Sequence, residues 1–246
     1  MVEVTIERGP FTGLYTYEIV MIVMGVVLFA VAIWALVRAI RADKPFFSHL
    51  SIFLVVALLV GFPSVKAVKL GEDLKTVSEA AAGNTGDAAT PERKRVVDAA
   101  AANVLSRLPT AQARVAVANA YRATGDVDKA YALAADVGKT DTTPEVKRAL
   151  APVFAAKLEA AVREVPPAAT VSDPAKREAI AAVVRQLDAT GIALSPQARV
   201  TMAQGLAAIG DDAKAKANLE RAQAQQRNVR VDPRLLTRLQ IPPHDG

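Results

Sequence analysis

The chain contains no cysteine at any of its 246 positions. That removes disulfides, thiolate nucleophiles and cysteine metal sites together, and it fits either redox compartment. Histidine is almost as scarce. The two present are His49 and His244. They are far apart in sequence and neither has ligating residues beside it, so no acid–base pair or imidazole-rich metal site is expected. Aromatics are 5% of the chain, and alanine supplies much of its 52% apolar content. Such a composition suits closely packed helices better than a β-sandwich, which wants β-branched and aromatic residues. No serine sits in a Gly-x-Ser-x-Gly elbow. Gly83 to Gly86 is too short for a phosphate loop and lacks its lysine. Asp126 with Asp128, and Asp211 with Asp212, stand at helix starts, where they favour the macrodipole rather than a metal. No catalysis and no cofactor are therefore expected. The net charge is +5. Without a basic and aromatic recognition stripe, that excess gives no reason to expect nucleic-acid binding.

Charge itself is missing from two long stretches. Ile19 to Val37 has no charged residue, and from Phe46 to Val65 the only ionisable side chain is His49. About 20 apolar residues cross a hydrocarbon layer of ~30 Å as a helix. With a basic turn from Arg38 to Pro45 between them, the runs predict a transmembrane helical hairpin. The first run is too long for a signal-peptide core, its basic residues follow it, and no small-residue cleavage pattern is evident. Phe11, Tyr15 and Tyr17 precede the first span and Trp34 lies near its other end, as interfacial rings do. His49 reads as an interfacial side chain, with ligation of a pigment or haem as the alternative.

Gly25, Leu28, Ala32, Ala35 and Ala39 recur at spacings of three and four in the first span, a stripe where another helix can approach closely. Ala57 and Gly61 give the second span a small-xxx-small pair. The stripe serves either packing of the two spans on each other or docking of a partner's helix. Arg38, Arg41 and Lys44 in the turn outnumber Arg8 in the tail, which places the turn in the cytoplasm and the remainder outside. Lys66, Lys69 and Lys75 pull the other way. A two-pass protein of a bacterial inner membrane, with a periplasmic domain, is the resulting expectation.

The parts follow in order: an N-terminal tail (1–17), the hairpin (18–70), a helical extension and linker (71–90), an α-helical repeat-like domain (91–240) and a C-terminal tail (241–246). Gly61-Phe62-Pro63 is expected to loosen the end of the second span. Thr90-Pro91-Glu92, Thr143-Pro144-Glu145, Asp173-Pro174 and Asp232-Pro233 are helix-start signatures. They predict helices near 91–108, 110–124, 127–138, 144–165, 174–190, 196–209, 212–227 and 233–239, with a kink at Pro152. The fold class is all-α.

Residues 112–132 repeat at 197–217, with 11 identities in 21 positions. Beyond alanines, the pairs are Gln112/Gln197, Arg114/Arg199, Val115/Val200, Gly125/Gly210, Asp126/Asp211 and Lys129/Lys214. The repeated unit is a helix–turn–helix. Asn119-Ala120-Tyr121, then Gly125-Asp126, then Lys129-Ala130-Tyr131 resembles the tetratricopeptide repeat. Ala118, Tyr121 and Ala130 match that family's packing positions, as do Ala203, Leu206 and Ala215 in the second copy. Two features depart from it. Arg114 and Arg199 stand where the family prefers a tryptophan-like residue, and the offset is 85 rather than 34. The resemblance implies a curved array whose first helices line a groove. Gln112, Val115, Asn119 and Arg122 would line it in one unit, and Gln197, Val200 and Gln204 in the other.

The candidate partner-binding residues are thus Gly25, Ala32, Ala35 and Ala39 in the hairpin, with Gln112, Asn119, Arg122, Gln197 and Gln204 in the array. The expected partners are other membrane-protein subunits, a peptide or protein segment in the groove, and the lipid bilayer. Arg93 to Arg95, Lys147 and Arg148 read as solvated helix starts or as a basic rim facing anionic lipid. A structural scaffold subunit follows. The alternative is an accessory subunit of a respiratory or photosynthetic membrane complex with the hairpin as its main contact.

Overall fold

A computed structural model describes residues 15–41, 50–82, 90–108, 110–166 and 169–242. Among these the chain forms ten helices and no strand. They are α1 (Thr16–Arg41), α2 (Leu50–Ala81), α3 (Pro91–Arg107), α4 (Ala111–Ala123), α5 (Val127–Thr140), α6 (Pro144–Arg163), α7 (Pro174–Ala189), α8 (Pro196–Ile209), α9 (Asp212–Gln225) and α10 (Pro233–Arg238). The fold is all-α. α1 and α2 are each long and apolar enough to cross a membrane. Side-chain caps set the helix starts: Thr90, Thr110, Asp126, Asp173, Ser195, Asp211 and Asp232 each accept a backbone N–H of the first turn.

α2 departs from the expected break at Gly61-Phe62-Pro63. It runs unbroken for 32 residues, about 48 Å at 1.5 Å per residue. Pro63 withholds a donor from the carbonyl four residues back, while the Ser64 hydroxyl donates to the Val60 carbonyl beside it at 2.7 Å. The apolar half of α2 packs on α1. Its other half buries Leu70, Leu74, Val77 and Ala80 against Val97, Ala100, Ala101 and Val104 of α3 and Ala113, Val117 and Ala120 of α4. The segment read as a linking extension is therefore the first helix of the globular core.

From there the helices pair. α2 packs on α3, α4 on α5, α6 on α7 and α8 on α9. The first members of successive pairs also touch: α2 on α4, α4 on α6, α6 on α8. Four pairs thus stack in a row, with their buried side chains in two clusters that meet at the α4/α5 pair, where Tyr121 and Leu133 pack against both. Leu235, Leu239 and Ile241 of α10 and its flank cover the last pair. The 85-residue offset now has a cause. It spans two pairs, and the segment between the recognisable copies is the α6/α7 pair with longer helices.

The two copies share their turn bond for bond. Gly125 (φ +81°) and Gly210 (φ +91°) adopt the left-handed conformation that a side chain resists. Asp126 N–H donates to Tyr121 O, and Asp211 N–H to Leu206 O, each at 2.9 Å. Asp126 then caps Lys129 N–H and Asp211 caps Lys214 N–H. The two arginines that depart from the repeat pattern also share a task. Arg114 pairs with Asp136 across α4/α5, and Arg199 donates to Gln225 across α8/α9. Each gives its pair a polar link between the two helices.

Ala130 and Ala215 are fully buried at the pair crossings. Replacing either with Leu overpacks the crossing and is expected to cost about 1–3 kcal/mol. Ala102→Leu, on an exposed face of α3, is expected to be nearly neutral. Chemical denaturation of the three variants checks this, and equal shifts at all three positions would remove the close crossings.

Candidate functional site

One end of α1 holds the least expected group in the chain. Glu18 lies in the first turn of α1 with no solvent exposure. Such a carboxylate needs donors on every side. Its Oε2 accepts the Tyr15 backbone N–H at 3.0 Å, as a third helical residue reaching back to the N-cap does. Arg107, at the end of α3, closes a two-pronged bond: Nη1 to Oε2 at 3.2 Å and Nη2 to Oε1 at 3.3 Å. Lys66 of α2 places its Nζ 3.3 Å from Oε1. The Tyr15 hydroxyl donates to the Ser106 carbonyl at 3.0 Å, and its ring lies under the Arg107 guanidinium. Three helices that are remote in sequence meet on one carboxylate. The clasp sits where the apolar part of the hairpin ends and the array begins.

The clasp also fixes direction. Lys66 and Arg107 meet at one level of α2 and α3, Asp73 and Asn103 hydrogen-bond further along, and Val77 packs near Val97. α3 therefore runs antiparallel to α2, back towards the clasp. Arg93, Lys94 and Arg95 lie at its far end, about 20 Å away at 1.5 Å per residue. They cannot form a rim at the level of the spans.

The small-residue stripe of α1 faces α2. A Cβ on Gly25 would come within 2.5 Å of Val60 Cγ2 and 3.3 Å of Leu59 Cβ. Ala32 is fully buried and Ala35 half-buried; the Ala39 side chain lies outside the described residues. Gly25 and Ala32 thus serve packing within the hairpin. The pair on α2 does not answer them. Ala57 is exposed and a Cβ on Gly61 would meet nothing within 4 Å.

The array residues divide similarly. Val115 and Val200 are core side chains, each about 1% exposed, which corrects their assignment to a groove. Asn119 donates to the Ala149 carbonyl of α6 at 3.0 Å and to Val115 O at 3.1 Å. Ala149 lies beside Arg148, whose carbonyl loses its helical donor to Pro152. Asn119 is thus committed to the neighbouring pair at the proline defect. Gln112 is exposed. Arg122 is half-buried, its Nε has no partner, and burial lowers its affinity for the proton. Gln197 and Gln204 come together: with Thr201 they form one wall of a cleft of about 360 Å³, opposite Glu159, Val162 and Arg163 of α6. This cleft lies between first helices of adjacent pairs, the row that the resemblance assigns to a groove. On the second helices, Lys129 bridges Asp98 of α3 and Asp126, and hydrogen bonds to both push its ammonium up to about 12.

His49, His244 and the turn after Arg41 lie outside the described residues. Among the described residues no three His, Asp or Glu side chains gather as a metal site would require. Sequence reasoning missed Glu18 and Arg107. The available signal was a lone acid directly before an uncharged run.

Comparison with family models, with curated proteins and with solved structures returned no match.

Removing the Glu18 carboxylate leaves two cations facing each other in a site where Arg107 is only 9% exposed. Glu18→Ala is expected to destabilise the hairpin–array junction by about 3–5 kcal/mol. Limited proteolysis should then cut between hairpin and array while array helicity by circular dichroism is retained. Resistance equal to the parent chain would show that the clasp carries nothing.

Proposed function

We propose that this chain is a non-catalytic, membrane-anchored structural subunit whose helical array holds other proteins at a fixed attitude to the bilayer. The observation that carries the reading is the continuity of α2. The same helix supplies an apolar span and the first helix of the array. A tether meant only to localise a domain would end in a flexible linker. Here helical rigidity and the Glu18 clasp both oppose reorientation of the array. The stacking of four pairs supports a tetratricopeptide-like array, and the cleft at Gln197, Thr201 and Gln204 is the place for a bound segment.

The setting is the inner membrane of a bacterium, crossed twice, with the array in the periplasm. Arg38 and Arg41 end α1 on the side away from the array, which favours that orientation. Of the lysines that weigh against it, Lys66 is bound to Glu18. A second reading makes the chain an accessory subunit of a respiratory or photosynthetic complex, with the hairpin as the main contact. The open Ala57–Gly61 face of α2 favours it, because small residues let a further helix approach closely.

Two measurements test these readings. Single cysteines at Ala42 and Ala102, in a chain with none of its own, are treated on intact cells with a membrane-impermeant thiol reagent. Labelling of Ala102→Cys alone is expected; labelling of Ala42→Cys alone would put the array in the cytoplasm. Purification in mild detergent is expected to bring a stable partner. A partner held in the cleft is lost with Gln197→Arg/Gln204→Arg and retained with Gly61→Leu. A partner held by the hairpin shows the reverse. Purification without any partner would overturn the scaffold reading.

A further inference from the structure

The turns of the array lie on two edges. One edge carries the described residues between the helices of a pair: 82 and 90, 124–126, 164–166 with 169–173, and 210–211. The other carries those between pairs, 108 and 110, 141–143 and 190–195, and the turn at 226–232 that closes the last pair. The second edge starts beside Arg107, at the clasp, where the apolar part of the hairpin ends.

Cations stand on both edges. On the edge of turns within pairs, Lys129 is held by Asp98 and Asp126, Lys157 by Asp128, Lys214 by Asp211 and Arg238 by Asp212, while Arg93, Lys94, Arg95, Lys176 and Arg177 form no ion pair among the described residues; what sets the clasp-side edge apart is its level, beside the ends of the spans. On the clasp-side edge, Lys147, Arg148, Arg227 and Arg230 form no ion pair among the described residues, and the last three are exposed. Among the nearby acids, Asp136 is held by Arg114. Asp141 and Asp232 accept the Thr143 and Arg234 backbone N–H groups at 3.0 and 2.8 Å and keep their charge, as do Glu145 and Asp188. With Lys139 and Arg234, also exposed there and in no ion pair among the described residues, the cations outnumber these acids. Between Arg227 and Arg230, Val229 packs inward and fixes the turn to the core. The arginines therefore project from a backbone that is held in place.

We infer that this edge is a headgroup-binding surface, on which Lys147, Arg148, Arg227 and Arg230 lay the array against anionic phospholipid of the membrane that α1 and α2 cross. The inference rests on the membrane reading above. Guanidinium groups match phosphate oxygens in a planar, two-pronged geometry. A negative lipid surface attracts cations only within about a Debye length, ~8 Å at physiological salt. An edge that begins at the end of the spans can meet that condition. The opposite edge, with Arg93 to Arg95, cannot, because α3 holds it at a distance. The chain would then touch its membrane twice, by the hairpin and by the far end of the array.

The full chain in lipid nanodiscs tests this. An environment-sensitive fluorophore is attached at Gln226→Cys on the clasp-side edge, or at Ala82→Cys on the opposite edge, and a quencher is placed in the headgroup layer. Discs of phosphatidylcholine alone are compared with discs containing phosphatidylglycerol, at low and high salt. Quenching at Gln226→Cys is expected only with phosphatidylglycerol, falling with salt, and the docked fraction should fall about fivefold for each cation removed. Arg227→Gln/Arg230→Gln and Arg227→Glu/Arg230→Glu should abolish it, with unchanged circular dichroism, while Arg93→Gln/Arg95→Gln should not. Equal quenching in neutral discs sends the arginines to another anion and overturns the lipid assignment, as does indifference to both double variants. A chain that enters discs but shows no lipid dependence defeats this inference alone. A chain that fails to enter discs defeats the membrane reading with it.

Discussion

A carboxylate sealed from water has to be met by donors, and the demand is strict enough to organise what surrounds it. Glu18 receives a backbone N–H, a guanidinium and an ammonium. Each donor comes from a different place: the start of α1, the middle of α2 and the end of α3. Any one of these elements could slide or rotate if apolar contact alone held it, because apolar packing is non-directional. The two-pronged Arg107 bond is directional and removes that freedom. That acid sets the register of α1, α2 and α3 at one end, in concert with Gly25 against Val60 and the Asn103 bond to Asp73.

Beyond the clasp the array is held by shape. Its crossings use alanine where bulk would separate the helices, and Gly205 where even a methyl would crowd. A Cβ there would meet Leu158 Cδ1 at 2.8 Å and Val184 Cγ2 at 3.3 Å. Low aromatic content is thus consistent with the architecture: thin helices stack closely and need few large side chains to fill the gaps. Arg114–Asp136 and Arg199–Gln225 add polar links within two of the pairs. Direction comes from charge and polar bonding, proximity from small residues.

Much of this was legible in the sequence. Proline and hydroxyl or acidic caps gave the helix starts because they act locally, and α3 to α10 begin within a residue of where those signals fall. The uncharged runs gave α1 and the apolar half of α2. Three features were hidden because they depend on distant contacts. Leu70, Leu74 and Val77 read as an extension, since nothing local says that α3 and α4 will cover them. Asn119 reads as groove-facing until the Ala149 carbonyl of another helix accepts its amide. Gly25 and Ala57 look alike in sequence, yet only Gly25 meets a neighbouring helix. The α6/α7 pair escaped the repeat because its turn lacks Gly-Asp.

The double membership of α2 bears on the order in which the protein forms. A chain is synthesised from its N-terminus, and early elements fold before later ones exist. α2 would be committed to its span while α3 was still being made. The exposed stripe of Leu70, Leu74, Val77 and Ala80 would then be a fixed seed at the bilayer surface. α3 and α4 would condense on it, and each later pair on the pair before. Nucleation of the array would thus be tied to insertion of the hairpin, so a chain that failed to insert would also lack the template for its first layer.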